Sequence, residues 1–204
     1  MKQQQQKSDS LHKKKMKKLK VNIDASISAA NIERGIGILL TGNGKGKSTS
    51  AFGMVIRSLG YNHKVGIVQF IKGQQLSGEE VYVRDKCPSV TFYQMNTGFT
   101  WETQDRSIDI AAAKESWAVA EKMLQDDSYN LVVLDELTYM LSFKYLDEAT
   151  ILDALNNRPV NQSVVVTGRG GGAALKRWAD TVSEVKEIKH AFKQGIMARK
   201  GVDV

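Results

Sequence analysis

Residues 36–50 constrain this chain more than any other stretch. An apolar run, Ile36-Gly37-Ile38-Leu39-Leu40, passes into Thr41-Gly42-Asn43-Gly44-Lys45-Gly46-Lys47-Ser48-Thr49, and a helix-compatible run begins at Lys47. Strand, glycine-rich turn and helix in that order make the setting of a phosphate-binding loop. Small residues let backbone N–H groups converge on an anion, and the helix N-terminus adds partial positive charge. In this reading residues 42–49 cradle a nucleoside triphosphate, Lys47 places its ammonium on the terminal phosphates and the Ser48 hydroxyl ligates Mg²⁺. Gly46, Lys47 and Ser48 fit G-x-x-x-x-G-K-[ST], whereas its leading glycine is replaced by Thr41. The bland alternative is an ordinary glycine-rich turn between a strand and a helix.

The rest of the chain repeats this alternation. Strands are expected over 36–41, 65–70, 90–95, 131–134, 164–167 and, more weakly, 181–188. Helices are expected over 47–59, 106–124, 147–155 and 173–179, the second with Ile108, Ala112, Trp117, Ala120, Met123 and Leu124 on its apolar face. Near-continuous apolar strands between helices predict an α/β fold, a mostly parallel sheet covered on both faces. Ligands of such sheets lie beyond the carboxyl ends of the strands. The loops after Thr41, Phe70, Met95, Leu134 and Thr167 are therefore expected to meet at one cleft.

Charge is distributed unevenly. The formal net charge is +7, but residues 1–20 hold eight lysines and one acid, Asp9. Setting these aside from 29 basic and 22 acidic residues leaves 21 of each, so the body is formally neutral. The basic character thus belongs to residues 1–30, read as a solvated arm or a helix that docks on a catalytic domain spanning 31–204. No aromatic residues interleave with those lysines as base stacking would want, and a specific nucleic-acid partner is not expected. No apolar h-region follows the lysines, and no stretch approaches the ~20 apolar residues of a membrane span. One cysteine, Cys87, gives no disulfide framework, which fits a cytoplasmic protein. The three histidines, His12, His63 and His190, lack metal-ligand spacing, and His190 reads as a structural histidine.

Three further stretches carry polar or aromatic groups at strand ends. Leu131-Val132-Val133-Leu134-Asp135-Glu136 places acids after an apolar run, where a carboxylate can hold Mg²⁺ directly or through water. Phe99 and Trp101 lie in the loop 97–104, and from pattern alone they plug a core edge or wall a broad flat substrate. Gly168-Arg169-Gly170 is a phosphate or ribose contact, or a flexible turn.

From about residue 31 to 203 these blocks resemble the P-loop type of ATP:corrinoid adenosyltransferase. The resemblance rests on the 41–49 loop, Gly66-Ile67-Val68-Gln69-Phe70-Ile71-Lys72-Gly73, Thr97-Gly98-Phe99-Thr100-Trp101-Glu102-Thr103-Gln104, Val132-Val133-Leu134-Asp135-Glu136-Leu137-Thr138-Tyr139, Val166-Thr167-Gly168-Arg169-Gly170 and Lys189-His190-Ala191-Phe192, in that order. Thr41 is a departure from ordinary P-loops that this family shares; Ser48 stands where the family more often has threonine. The resemblance implies a RecA-like fold and attack by a Co(I) corrinoid, cob(I)alamin for example, on C5′ of ATP, with triphosphate as leaving group. It implies Lys47, Phe99 and Trp101 as catalytic residues, the aromatic pair displacing the lower axial ligand of the corrin. It also implies ATP held by Gly42, Asn43, Gly44, Lys45, Gly46, Lys47, Ser48 and Thr49, Mg²⁺ (or Mn²⁺) on Ser48 and Glu136, an electron-donating reductase such as a flavodoxin, and a homodimer. A P-loop ATPase or kinase that transfers the γ-phosphoryl group is the competing expectation, and a nucleic-acid-binding protein using the lysine arm is a third.

Overall fold

The computed structural model describes residues 2–71, 76–95 and 105–203. It divides into a unit of residues 1–33 and a body of residues 34–204. The first is built on helix α1 (Lys2–Ala29), in which the Ser26 and Ser28 hydroxyls donate to the carbonyls of Asn22 and Asp24, one turn back.

The body is one six-stranded, all-parallel sheet: β1 (Gly37–Thr41), β2 (Val65–Gln69), β3 (Val90–Gln94), β4 (Leu131–Asp135), β5 (Ser163–Thr167) and β6 (Thr181–Glu184). Their spatial order is β3-β2-β4-β5-β1-β6. Register places Leu39 beside Val166 and Val68 beside Leu134. Consecutive strand residues point to opposite faces, so each central strand feeds two cores. Leu39, Val68, Val132, Leu134, Val164 and Val166 pack on one face with Ala113, Trp117, Ala120 and Leu124 of α4 (Arg106–Gln125). That layer is completed by Met140 of α5 (Leu137–Ser142), Ile151 and Leu155 of α6 (Glu148–Asn156) and Leu175 of α7 (Gly172–Trp178). Leu40, Ile67, Leu131, Val133 and Val165 pack on the other, against Ala51, Phe52 and Val55 of α2 (Lys47–Leu59) and Val83 of α3 (Gly78–Lys86).

Three expectations need correcting. The expected apolar face of α4 holds at Trp117, Ala120, Met123 and Leu124, but in its first half Ile108 is exposed and Asp109 and Ala113 are buried instead of Ile108 and Ala112. Asp109 takes that place because its carboxylate accepts a hydrogen bond from Tyr145 Oη at 3.1 Å, which makes a buried acid tolerable. Strand β6 ends at Glu184 rather than 188. There the Val185 carbonyl turns to accept from Gly44 N–H at 2.7 Å, leaving the ladder for the phosphate loop. Helix α3 was not expected at all; its 78–86 segment has a weak apolar pattern and is started by Ser77, whose hydroxyl accepts from Glu80 N–H.

Candidate active site

The carboxyl ends of β1, β2, β4 and β5 open onto a cleft of about 1150 Å³. Residues 43–49 form its floor, and Gln69, Asp135, Glu136, Tyr139 and Arg169 stand along one side. Glu79 and the 189–203 segment line it as well.

The phosphate loop is held in shape from outside. Thr41, the last residue of β1, donates its hydroxyl to the Gly170 carbonyl and so ties this loop to the one after β5. The residue that breaks the general glycine pattern is therefore a strut. Gly42 has φ +98°, and a Cβ there would lie 2.3 Å from the Val185 carbonyl oxygen, so only glycine fits. Farther along, Lys45 pairs with Asp203 at 3.5 Å. Helix α2 then begins at Lys47, which is almost completely buried although its ammonium is charged. Lys47 Nζ donates to the Gly44 carbonyl at 2.9 Å. Burial and the like charge of Arg169 lower its pKa, while Glu136 and Asp135 oppose the shift. An ammonium stripped of water in this way is a strong electrostatic partner for an incoming polyanion.

The two acids after β4 differ. Asp135 is buried with both oxygens occupied: Thr167 Oγ1 donates to Oδ1 at 2.6 Å and Gln69 Nε2 donates to Oδ2 at 2.8 Å. Glu136 has a left-handed backbone (φ 59°), and its N–H donates to Thr167 Oγ1 at 2.9 Å. Its Oε2 is buried and has no hydrogen-bond partner among the described residues. Burial, and next the neighbouring Asp135, push the Glu136 carboxyl up to about 7, against the pull of Lys47 and Arg169. A buried carboxylate atom without a partner is a group that a cation would satisfy. Ser48 lines the same cleft.

The structure thus brings Asn43, Gly44, Lys45, Gly46, Lys47, Ser48, Thr49 and Glu136 to one cleft, with Gly42 at the loop's base. Phe99 and Trp101 lie outside the described residues. His190 lines the cleft while its Nδ1 accepts from Phe192 N–H at 3.2 Å, so it caps a 3₁₀ turn at Ala191–Gln194. Sequence reasoning passed over Gln69 and Thr167. Each is a polar residue at the carboxyl end of a mostly apolar strand, a pattern visible in the sequence whose meaning comes only from the strand order.

A parallel sheet in which β5 separates the phosphate-loop strand from the acid-ended strand, with both loops on one cleft, defines a RecA-like P-loop nucleotide-binding domain. Residues 33–204 match the family model described as ATP:corrinoid adenosyltransferase BtuR/CobO/CobP, and the chain belongs to that family. It is 49% identical over 195 residues to a corrinoid adenosyltransferase of Pseudomonas aeruginosa, covering 96% of each chain. It is 46% identical over 196 residues to the corrinoid adenosyltransferase of Escherichia coli K12, covering 96% of this chain and 99% of that one. The corrinoid adenosyltransferase CobA of Salmonella typhimurium matches at the same identity and coverage.

Proposed function

We propose that the cleft transfers the 5′-deoxyadenosyl group of ATP to the Co(I) centre of a corrinoid, releasing inorganic triphosphate, as a step of adenosylcobalamin synthesis or salvage. The observation that carries this reading is that the 33–204 family match coincides with the body that holds the cleft. In the reaction the Co(I) electron pair attacks C5′, a cobalt–carbon bond forms, and the C5′–O bond breaks with its electrons on the triphosphate. Cobalt is the nucleophile, so no side-chain base has to generate one. The protein's task is to stabilise charge on the leaving group. Lys47 does this by exchanging the Gly44 carbonyl for a phosphate oxygen, and the loop N–H groups at the start of α2 add to it.

Ser48 and Glu136 are the residues we assign to Mg²⁺ or Mn²⁺. The donors are hard oxygens, and one of them, Glu136 Oε2, is buried and unpartnered. In this assignment the phosphates of the substrate complete the cation's coordination. When bound, such a cation neutralises charge on the triphosphate as it leaves.

Phe99 and Trp101 are assigned to the lower face of the corrin, where they displace its axial ligand and ease reduction of Co(II). Trp101→Ala is then expected to leave ATP affinity within about threefold while use of Co(II) corrinoid with a reductant falls by an order of magnitude or more. An equal loss of ATP affinity would make Trp101 structural. We assign residues 1–30 to an accessory basic arm and residues 31–204 to the catalytic domain. A cytoplasmic homodimer served by a flavodoxin-type reductase completes the proposal. No helix among the described residues is long and apolar enough to cross a membrane.

The decisive assay mixes the protein with ATP, Mg²⁺ and chemically reduced cobalamin and follows the visible spectrum before and after illumination. Triphosphate and a light-sensitive adenosylcorrinoid are expected. ADP or orthophosphate without a cobalt–carbon bond would instead indicate phosphoryl transfer.

A further inference from the structure

Glu136 carries a feature that its own residue type does not explain. It holds a left-handed backbone, which is unfavourable for a residue with a Cβ, and its side chain makes no capping hydrogen bond to α5. The carboxylate therefore does nothing to hold its own backbone in place. The restraint comes from β5. Thr167 Oγ1 accepts from Glu136 N–H at 2.9 Å and donates to Asp135 Oδ1 at 2.6 Å. A hydroxyl has one proton, and here Asp135 takes it, so the Glu136 N–H can only meet a lone pair. The other oxygen of Asp135 is fixed from β2 by Gln69 Nε2. Three neighbouring strands thus meet in one chain of hydrogen bonds, from Gln69 through Asp135 and Thr167 to the Glu136 backbone.

We propose that Thr167 is a positioning residue for the cation site: its hydroxyl holds Asp135 within the sheet and the Glu136 backbone in the left-handed turn, so that Glu136, rather than Asp135, presents its carboxylate to the cation. This rests on the assignment of Ser48 and Glu136 to that cation. Asp135 is then an anchor within the sheet. Each of its oxygens already accepts a hydrogen bond within the sheet, whereas Glu136 Oε2 has no partner among the described residues. Hydrogen bonds that orient metal ligands from behind typically change metal affinity by 10- to 100-fold when removed.

The test is Mn²⁺ binding to the full-length protein–ATP complex without corrinoid, followed by electron paramagnetic resonance. Thr167→Val keeps the shape and removes both hydrogen bonds; Thr167→Ser keeps the hydroxyl. We expect Thr167→Val to weaken Mn²⁺ about 10- to 100-fold and Thr167→Ser to stay within about threefold of wild type. Equal affinities for valine and wild type, or serine no better than valine, would overturn the proposal. Asp135→Asn is the second variant, read in the same titration should valine at 167 prevent folding. It is expected to lose less affinity than Glu136→Gln; an equal or larger loss would make Asp135 a direct ligand and refute the anchor role. If Glu136→Gln itself binds Mn²⁺ like wild type, the cation assignment fails, a result distinct from failure at Thr167 alone.

Discussion

One carboxylate at each end of the sheet has been moved away from its ordinary acidity, in opposite directions. At the amino end Asp180 faces Arg34 through two contacts, Nη1 to Oδ2 at 2.9 Å and Nη2 to Oδ1 at 2.5 Å, and accepts from Gly37 N–H at 2.8 Å. Those partners, Arg34 first, pull it down to about 2. Nearby, Arg158 Nε donates to the Gln162 carbonyl, and Gln162 Nε2 donates to the carbonyls of Met123 and Asp126. At the carboxyl end Glu136 is half-buried, with its Oε2 out of solvent, beside another acid, and is pushed up to about 7. The same chemical group is satisfied by its own fold at one end and left for a ligand to satisfy at the other. Polar groups at the amino end hold the sheet together; at the carboxyl end Gln69, Asp135 and Thr167 do the same, while the Glu136 carboxyl and the Lys47 ammonium lower stability until a ligand satisfies them.

The largest effect should come from Lys47. Lys47→Ala removes the charge we assign to the leaving group, and turnover should fall about 10²- to 10⁴-fold. Thermal stability should hold or rise, because a buried ammonium has been removed. A fall in melting temperature that accounts for the lost activity would place Lys47 with the structural charges instead.

Glu136 gives the next effect, readable without substrate. Its folded pKa of about 7 lies above the ordinary 4.5. The stability it contributes is therefore complete below about pH 4.5 and is lost as pH rises through about 7. The loss is on the order of 3 kcal/mol. Glu136→Gln should flatten the dependence of the urea midpoint on pH between 5 and 8 and be more stable than wild type at pH 8. An unchanged slope would mean that another group titrates there.

Gly168 sharpens the comparison on geometric grounds. It has φ +142°, and a Cβ would fall 2.0 Å from Thr138 Oγ1, which itself donates to the Arg169 carbonyl. Gly168→Ala should cost about 2–3 kcal/mol of stability, and ATP affinity should fall with it because the Arg169 turn lines the cleft. Lost stability with unchanged ATP affinity would show that the turn serves folding alone.

What the sequence made legible follows from this same division. The central strands and α2 are set by local apolar runs and a glycine turn, and they were readable to within a residue or so. The cleft's floor and Glu136 were readable too, because a phosphate loop and an acid-ended strand are local patterns. The inward turn of Asp109 was hidden, since it depends on Tyr145, 36 residues away. Thr167 and Gln69 were hidden for a related reason: their meaning comes from the order β2-β4-β5, which puts both beside Asp135. The early end of β6 reflects the Gly44–Val185 bond between two distant loops.

The smallest effect belongs to Asp180, and it checks whether the amino end is structural only. Because its folded pKa is depressed, the stability it contributes is present above its ordinary 3.8 and is lost as pH falls through about 2. Both partners are partly exposed, with side-chain exposures of 41% for Arg34 and 30% for Asp180, so solvent screens the pair. Asp180→Asn should therefore cost no more than about 1 kcal/mol at pH 7, and less in high salt. Near pH 2 the difference from wild type should shrink, since the wild-type carboxyl is then largely protonated. ATP affinity and turnover should not change, because the Arg34–Asp180 pair holds β6 to the start of β1, at the opposite end of the strands from the phosphate loop. A shifted KM for ATP in this variant would break the comparison, for it would mean that strain at the satisfied end reaches the cleft through β1.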